Sequence, residues 1–291
     1  MSIPVIEFRN VSQWYGEGES RTEVLSDINL SIAEGEFLAI VGFTGSGKTT
    51  LVNLMTGLLR PSSGQVLYRG QPIKGPAPER GIIFQNYSLL PWYTVYQNVA
   101  LAVDQVYPDW SKDRREGHIR TFVEMVGLSH AIDKFPSELS GGMRQRVSIA
   151  RVLATDPDLL LMDEPLGALD ALTRGNLQDE ILRIWSANRR TAVLITNDVD
   201  EGIFMADRIL PLDPGPAAGL GPEFRIDLAR PRDKTDLNHD PNFKRVRTEI
   251  LNYLVALGES NRPRADNSLP LPDVQPIMPG TRSFVAAWHR D

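Results

Sequence analysis

The chain contains no cysteine. Disulfide bonds, a thiolate nucleophile and thiolate-held zinc are therefore excluded. There is no excess of basic residues: 31 Lys plus Arg stand against 37 Asp plus Glu, a formal net charge of −6, which argues against a nucleic-acid partner. No apolar stretch reaches the roughly 18 residues needed to cross a bilayer, so any membrane role is expected to run through a partner. The opening residues, MSIPVIEFRN, lack the basic start and apolar core of a secretory signal. No internal repeat is visible, so a single module is expected. What remains is an ordinary soluble composition, 42% apolar and 23% charged over 291 residues, ample for a sizeable core.

Patterning supplies the elements. IPVIEFRNVSQWY and VLSDINLSI (24–32) alternate and predict strands. EFLAIVG (36–42), DLLLMDE (158–164) and TAVLIT (191–196) are short continuous apolar runs, the mark of strands buried on both faces. KTTLVNLMTGLL (48–59) has helical spacing, with Leu51, Leu54, Met55 and Leu58 on one side. SSGQVLYRG (62–70) predicts a turn and an edge strand. Helices are expected near 96–105, 112–127, 141–155 and 172–188. After about residue 211 the chain becomes turn-rich, then regains helical spacing at Val246, Ile250, Leu254 and Leu257. Residues 259–291 hold five prolines and little periodicity, which predicts a flexible tail.

Three motifs carry chemistry. GFTGSGKTT (42–50) matches G-x-x-x-x-G-K-[ST] between a buried strand and a helix, the setting that such a phosphate loop needs. Its Gly42, Thr44, Gly45, Ser46, Gly47 and Thr50 place main-chain N–H groups around phosphates. Lys48 reaches the terminal phosphates, and Thr49 can ligate Mg²⁺. LLLMDEP (159–165) ends a buried strand on two carboxylates. Asp163 is suited to the metal through its water shell, and Glu164 to polarising an attacking water. LSGGMRQR (139–146) sets a Ser-Gly-Gly turn before a helix. By itself that turn reads as capping, with Ser140 as the cap, yet unpaired amides at a helix start also form an anion site. One chain thus carries two places for phosphate.

In this order and spacing the three motifs resemble the ATP-binding subunits of ABC transporters, over about residues 4–210. The resemblance implies an α/β fold of the P-loop NTPase, ABC type. Its parts are a mostly parallel core sheet, an antiparallel β layer from the first 35 or so residues and 62–83, and a helical arm over about 86–155. The ATPase domain would span 4–212, followed by a small extension over 213–258. It implies that Tyr15 stacks on adenine, that Gln85 touches Mg²⁺ and the water, and that Asp170 lies in a loop crossing between subunits. It also implies two chains packed head to tail, as a homo- or heterodimer. Ser140, Gly141 and Gly142 of one would then close over the γ-phosphate held by Lys48 of the other.

Lack of membrane spans favours an importer subunit over a fused exporter, and absence of a long coiled coil or second module disfavours the soluble ABC proteins. Within importers, PERGIIFQNYSLLPWYTVYQNVAL (78–101) is similar to the branch for nitrate, bicarbonate, sulfonates and taurine. TNDVDE (196–201), with Asn197 where most of the superfamily has histidine, narrows this to nitrate, nitrite, cyanate or bicarbonate; an aliphatic sulfonate or taurine importer is the alternative. By resemblance the chain binds ATP and Mg²⁺ and lies peripherally on the cytoplasmic face of the inner membrane. Its expected partners are permease subunits and, through them, a periplasmic or lipoprotein solute-binding protein. The permease is expected to dock around residues 86–99, where Leu89, Leu90, Pro91, Trp92 and Tyr93 cluster. Asn197 is expected to hold the γ-phosphate contact while Glu164 acts as base.

Overall fold

A computed structural model of the chain describes residues 3–167, 169–188 and 190–260. The predicted tail therefore lies outside the described residues, apart from its first two positions. Two strands, β1 (Ile6–Tyr15) and β2 (Thr22–Ile32), form an antiparallel pair. Next come β3 (Phe37–Gly42), α1 (Lys48–Thr56), β4 (Ser63–Tyr68), β5 (Gln71–Pro72) and β6 (Arg80–Ile83). The helical arm comprises α2 (Val95–Val106), α3 (Lys112–Met125) and α4 (Gly141–Leu153). The chain re-enters the core through β7 (Leu159–Asp163), α5 (Ala171–Asn188), β8 (Thr191–Thr196), α6 (Val199–Met205) and β9 (Arg208–Leu212). It closes with β10 (Phe224–Arg225), α7 (Lys234–Leu237) and α8 (Pro241–Ser260).

The core sheet has the order β10-β9-β3-β8-β7-β6, parallel except for β10. Its central strands are buried on both faces, which explains their unbroken apolar runs. Phe37, Ala39 and Val41 of β3 face one side with Leu160, Met162, Ala192 and Leu194. Leu38 and Ile40 face the other with Leu159, Leu161, Val193 and Ile195. The helical arm covers the first face. The antiparallel sheet, order β2-β1-β4-β5, and α1 cover the second. Each leucine so buried contributes ~1.5–3 kcal/mol.

Three expectations are corrected. Residues 80–83 belong to the parallel sheet, not to the antiparallel layer, because β6 pairs with β7 from Arg80↔Leu159 to Ile83↔Met162. The strand in 62–70 is interior to its sheet, and the two-residue β5 forms the edge. The helix from Lys48 stops at Thr56 because Gly57 adopts φ +82° as its C-cap, which leaves Leu58 53% exposed.

Residues after Leu212 add to the same core. Ile226, Leu237, Phe243, Val246 and Ile250 join the cluster that contains β3 and α6. The anchor is Arg232, 9% exposed. Its Nη1 donates to the carbonyls of Ile203, Phe204 and Ala206 at 2.8, 3.1 and 2.7 Å, occupying the orphan acceptors at the end of α6. Its Nη2 donates to the Ile226 and Leu228 carbonyls. Burial pulls the guanidinium down to about 10, so it stays charged at neutral pH. Arg232→Ala should cost about 3 kcal/mol by chemical denaturation, since buried carbonyls lose a charged donor. Lysine should not restore the loss, because an ammonium lacks the planar fork; recovery with lysine contradicts this account.

Candidate nucleotide site

The parallel strands deliver their C-terminal ends to one rim, where the loop between β3 and α1 begins. A Cβ on Gly42 would meet the Leu212 carbonyl oxygen at 2.7 Å, so the loop can lie against β9 only with glycine there. Gly47, at φ +97°, turns the chain into α1, and the helix has no side-chain cap. The first amides of α1, from Lys48 through Thr50, therefore remain available to an anion. Ser46 Oγ is buried in the loop without a hydrogen-bond partner. Thr44 and Gly45 are exposed at the loop's tip, and Thr50 is half-buried. These features fit a phosphate group.

Lys48 is 5% exposed, and its Nζ donates to the carbonyls of Gly42 at 2.9 Å and Phe43 at 2.8 Å. Burial pulls its amine below the ordinary lysine value, while Glu164 and Asp163 pull the other way. Asp163 ends β7; burial pushes its carboxyl up, and a hydrogen bond from Thr49 opposes this. A carboxylate and a hydroxyl so paired are a donor set that suits Mg²⁺.

Glu164 follows at φ +45°, a left-handed conformation that a non-glycine residue adopts only when its surroundings enforce it. Its N–H donates to the Ile195 carbonyl at 2.9 Å. Its carboxylate accepts on both oxygens: from Asn197 Nδ2 on Oε1 at 2.7 Å and from Gln85 Nε2 on Oε2 at 3.2 Å. Lys48 Nζ lies 3.8 Å from Oε1. A cavity of about 510 Å³ opens beside this group, lined by Gln85, Glu164, Arg174, Asn197, Arg247 and Leu251 among others. The structure thus brings together Lys48, Thr49, Gln85, Asp163, Glu164 and Asn197, and it directs Asn197 at Glu164.

Tyr15 is 47% exposed at the end of β1. Its neighbour Trp14 is covered by the Arg21 guanidinium, 3.8 Å from the ring centroid, so Tyr15 carries the open aromatic face. Ser140 caps α4, its Oγ accepting from Met143 N at 3.3 Å. Among the described residues no hydrogen bond joins Ser140, Gly141 or Gly142 to the phosphate loop. Gly142 instead abuts Thr173, near the start of α5, and Gly141 lies beside the Tyr87 hydroxyl. Asp170 Oδ1 accepts from Thr173 N at 3.0 Å, and that bond holds its carboxyl below the ordinary value.

Some residues that shape the site had no motif to mark them. Arg151 of α4 donates to the Ser88 and Tyr87 carbonyls and holds the segment after Gln85. Asn98, fully buried, accepts from the Leu90 N–H on Oδ1 and donates through Nδ2 to the Leu90, Tyr93 and Thr94 carbonyls. That bracing presents Trp92, 66% exposed, while Leu89 packs toward the core.

A phosphate loop feeding α1, a metal-suited pair on β7 and an adjacent held carboxylate define a P-loop nucleotide-binding protein. The comparisons place it further. Residues 25–167 match the family model described as ABC transporter. The chain is 50% identical over 230 residues, 79% of its length, to the bicarbonate transport ATP-binding protein CmpC of Synechococcus elongatus, but spans only 35% of that protein. It is 46% identical over 79% of its length to the nitrate import ATP-binding protein NrtD of the same organism, covering 84% of it. Among solved structures it resembles the dimeric post-hydrolysis state of the ATP-binding cassette MJ0796 bound to ADP and Pi, with TM-score 0.70 and 29% identity, over 77% of this chain and all of that one. The chain belongs to the ABC transporter family, and its fold is that of the ABC ATPases.

The packing at Gly142 is testable. A Cβ there would lie 2.5 Å from Thr173 Cγ2 but 3.7 Å or more from the other Thr173 atoms. Gly142→Ala should therefore destabilise by ~1–3 kcal/mol through overpacking. Adding Thr173→Ser, which removes only that methyl, should restore wild-type stability or exceed it by up to ~1 kcal/mol, since alanine favours helix. Equal losses in the single and double variants on denaturation contradict the contact.

Proposed function

We propose that the chain is the ATP-hydrolysing subunit of an importer for a small oxyanion, nitrate, nitrite, cyanate or bicarbonate. The observation that carries the hydrolytic reading is the Glu164 carboxylate, held by Asn197 and Gln85 at the mouth of the phosphate loop. The solute reading is supported by relatives named for bicarbonate transport and nitrate import.

Lys48 and the uncapped amides of α1 supply positive charge where the terminal phosphate becomes more negative. Tyr15 offers its ring to the adenine. Thr49, Asp163 and Gln85 would hold Mg²⁺, which when bound neutralises charge on the β- and γ-phosphates. Glu164 orients a water in line with the γ-phosphorus and takes its proton. Asn197 and Gln85, each on a separate carboxylate oxygen, fix the direction of that base, and the second N–H of Asn197 Nδ2 donates to the γ-phosphate. An asparagine amide cannot titrate near neutral pH, so it acts by geometry alone.

Ser140, Gly141 and Gly142 complete the site in trans, from a second ATPase chain packed head to tail, with Asp170 at the crossing loop. ATP then joins the two chains and hydrolysis releases them, a rigid-body switch. Among the described residues no helix is long and apolar enough to cross a membrane. Membrane attachment is assigned in this reading to permease subunits on the cytoplasmic face, docking at exposed Trp92 and its neighbours. A solute-binding protein works through the permease.

The purified chain should hydrolyse Mg-ATP, and Glu164→Gln should abolish turnover while trapping a dimer on size-exclusion chromatography. A Glu164→Gln protein that stays monomeric with saturating Mg-ATP, alone and with its permease, would falsify the sandwich. Asn197→Ala should lower kcat by ~10²–10³-fold, the usual effect of losing an aimed donor, with nucleotide affinity kept; near-normal turnover contradicts the assignment. Trp92→Ala should weaken co-purification with the permease by at least about tenfold, the loss expected for a buried aromatic anchor. Undiminished capture places the docking surface elsewhere.

A further inference from the structure

Four residues beyond Asn197, α6 carries a carboxylate that the hydrolytic reading leaves without work. Glu201 is 6% exposed. It accepts from the Thr196 hydroxyl on Oε2 and from Gln178 Nε2 on Oε1 at 3.0 Å. Burial pushes its carboxyl above the ordinary value, and those two donors only partly oppose the push. A buried carboxylate is a costly way to fill space. It is also not needed to start α6, because Asp198 already caps the helix, accepting from the N–H groups of Asp200 and Glu201 at 2.9 and 3.2 Å.

Its effect falls on the chain between Thr196 and Asp198. Thr196 Oγ1 donates to Glu201 and accepts from Asp198 N at 3.0 Å, so the hydroxyl has no free rotation. Asn197 sits between these two tied residues, and its amide reaches Glu164 Oε1 at 2.7 Å. Helix α5 grips the same segment twice, one turn apart: Gln178 bonds Glu201, and Arg174 lies 3.7 Å from Asp198. The N-terminal end of α5 is the turn of Asp170.

We propose that Glu201 is a positioning residue for Asn197: tied to Thr196 and to Gln178 of α5, it fixes the main chain that aims the Asn197 amide at Glu164. This rests on the reading of Glu164 as the base. A histidine in place of Asn197 could compensate for misplacement by gaining charge, whereas an asparagine has only its direction.

The test is a double-mutant cycle on the full chain, reading kcat, KM for ATP, thermal midpoint and the Asn197 side-chain amide resonances by NMR. Glu201→Ala should lower kcat by about ten- to a hundredfold, short of losing the donor outright, with KM little changed. Glu201→Gln should stay within about threefold of wild type, because its carbonyl accepts from Thr196 and its amide donates to a turned Gln178. In an Asn197→Ala background, Glu201→Ala should add less than about twofold, since the two act on one term. A further loss as large as that of the single variant overturns the proposal. So does an unchanged kcat in Glu201→Ala.

Should Glu201→Ala fail to fold, Thr196→Val, which removes the hydroxyl at nearly constant shape, is expected to show the same coupling, and full additivity with Asn197→Ala overturns the proposal. If the wild-type chain hydrolyses no ATP, it is the hydrolytic reading that fails. The positioning is then decided by NMR: the Asn197 amide resonances should move in Glu201→Ala and stay in Glu201→Gln. Resonances unmoved in Glu201→Ala overturn the positioning role.

Discussion

A carboxylate with one amide donor on each oxygen is fixed in direction, and the chemistry proposed at this rim depends on that constraint. Glu164 is held by Asn197 and Gln85 and stands on a backbone at φ +45°. A left-handed glutamate costs on the order of 1 kcal/mol or more. The cost is borne because the Glu164 N–H is paired to the Ile195 carbonyl and because β7 and β8 are locked in register through Asp163↔Ile195. The sheet thus holds the residue in a conformation that the residue itself disfavours, and two side chains then set where its oxygens point.

Those contributors come from different places in the chain, and the parallel sheet brings them together. In such a sheet every strand ends at the same edge, which is where ligands bind in open α/β folds. β3 ends at Gly42 and opens the phosphate loop. β7 ends at Asp163, next to Glu164. β8 ends at Thr196, next to Asn197, and β6 ends at Ile83, two residues before Gln85. Because these strands are buried on both faces, sliding one of them would disrupt two apolar clusters at once. Core packing therefore protects the relative positions of the site residues.

Much of this was legible in the sequence, for a physical reason. A strand buried on both faces must be apolar throughout, so β3, β7 and β8 announce themselves, and a phosphate loop needs glycines at fixed offsets. β6 gives no sign of its layer, because its four residues, RGII, carry neither alternation nor a long run. The apolar stripe of the helix from Lys48 continues to Leu58 and hides the true end, which Gly57 sets. Contacts were harder to read than elements. Asn197 was marked by its departure from histidine, but its donation to Glu164 depends on how β7 and β8 align. Arg232, Asn98 and Arg151 were invisible because each serves main-chain carbonyls distant in sequence, and no local pattern encodes an unpaired acceptor elsewhere.

The same distinction separates Glu164 from Glu201. Both are glutamates placed just after a strand end or a helix start, and sequence pattern ranks Glu164 far above Glu201 because it belongs to LLLMDEP. In the structure their environments invert that ranking for rigidity. Both line the cavity, but the Glu164 side chain is 22% exposed, open to the water proposed to reach it. Glu201 is buried and its two oxygens face a hydroxyl and an amide of the protein itself. A base must exchange its proton with solvent and substrate, so it cannot be sealed in. The residue that holds such a base in line has the opposite need, because a solvated contact would compete with water and lose its direction. A rigid carboxylate behind an accessible one is what the proposed reliance on the direction of a neutral amide requires.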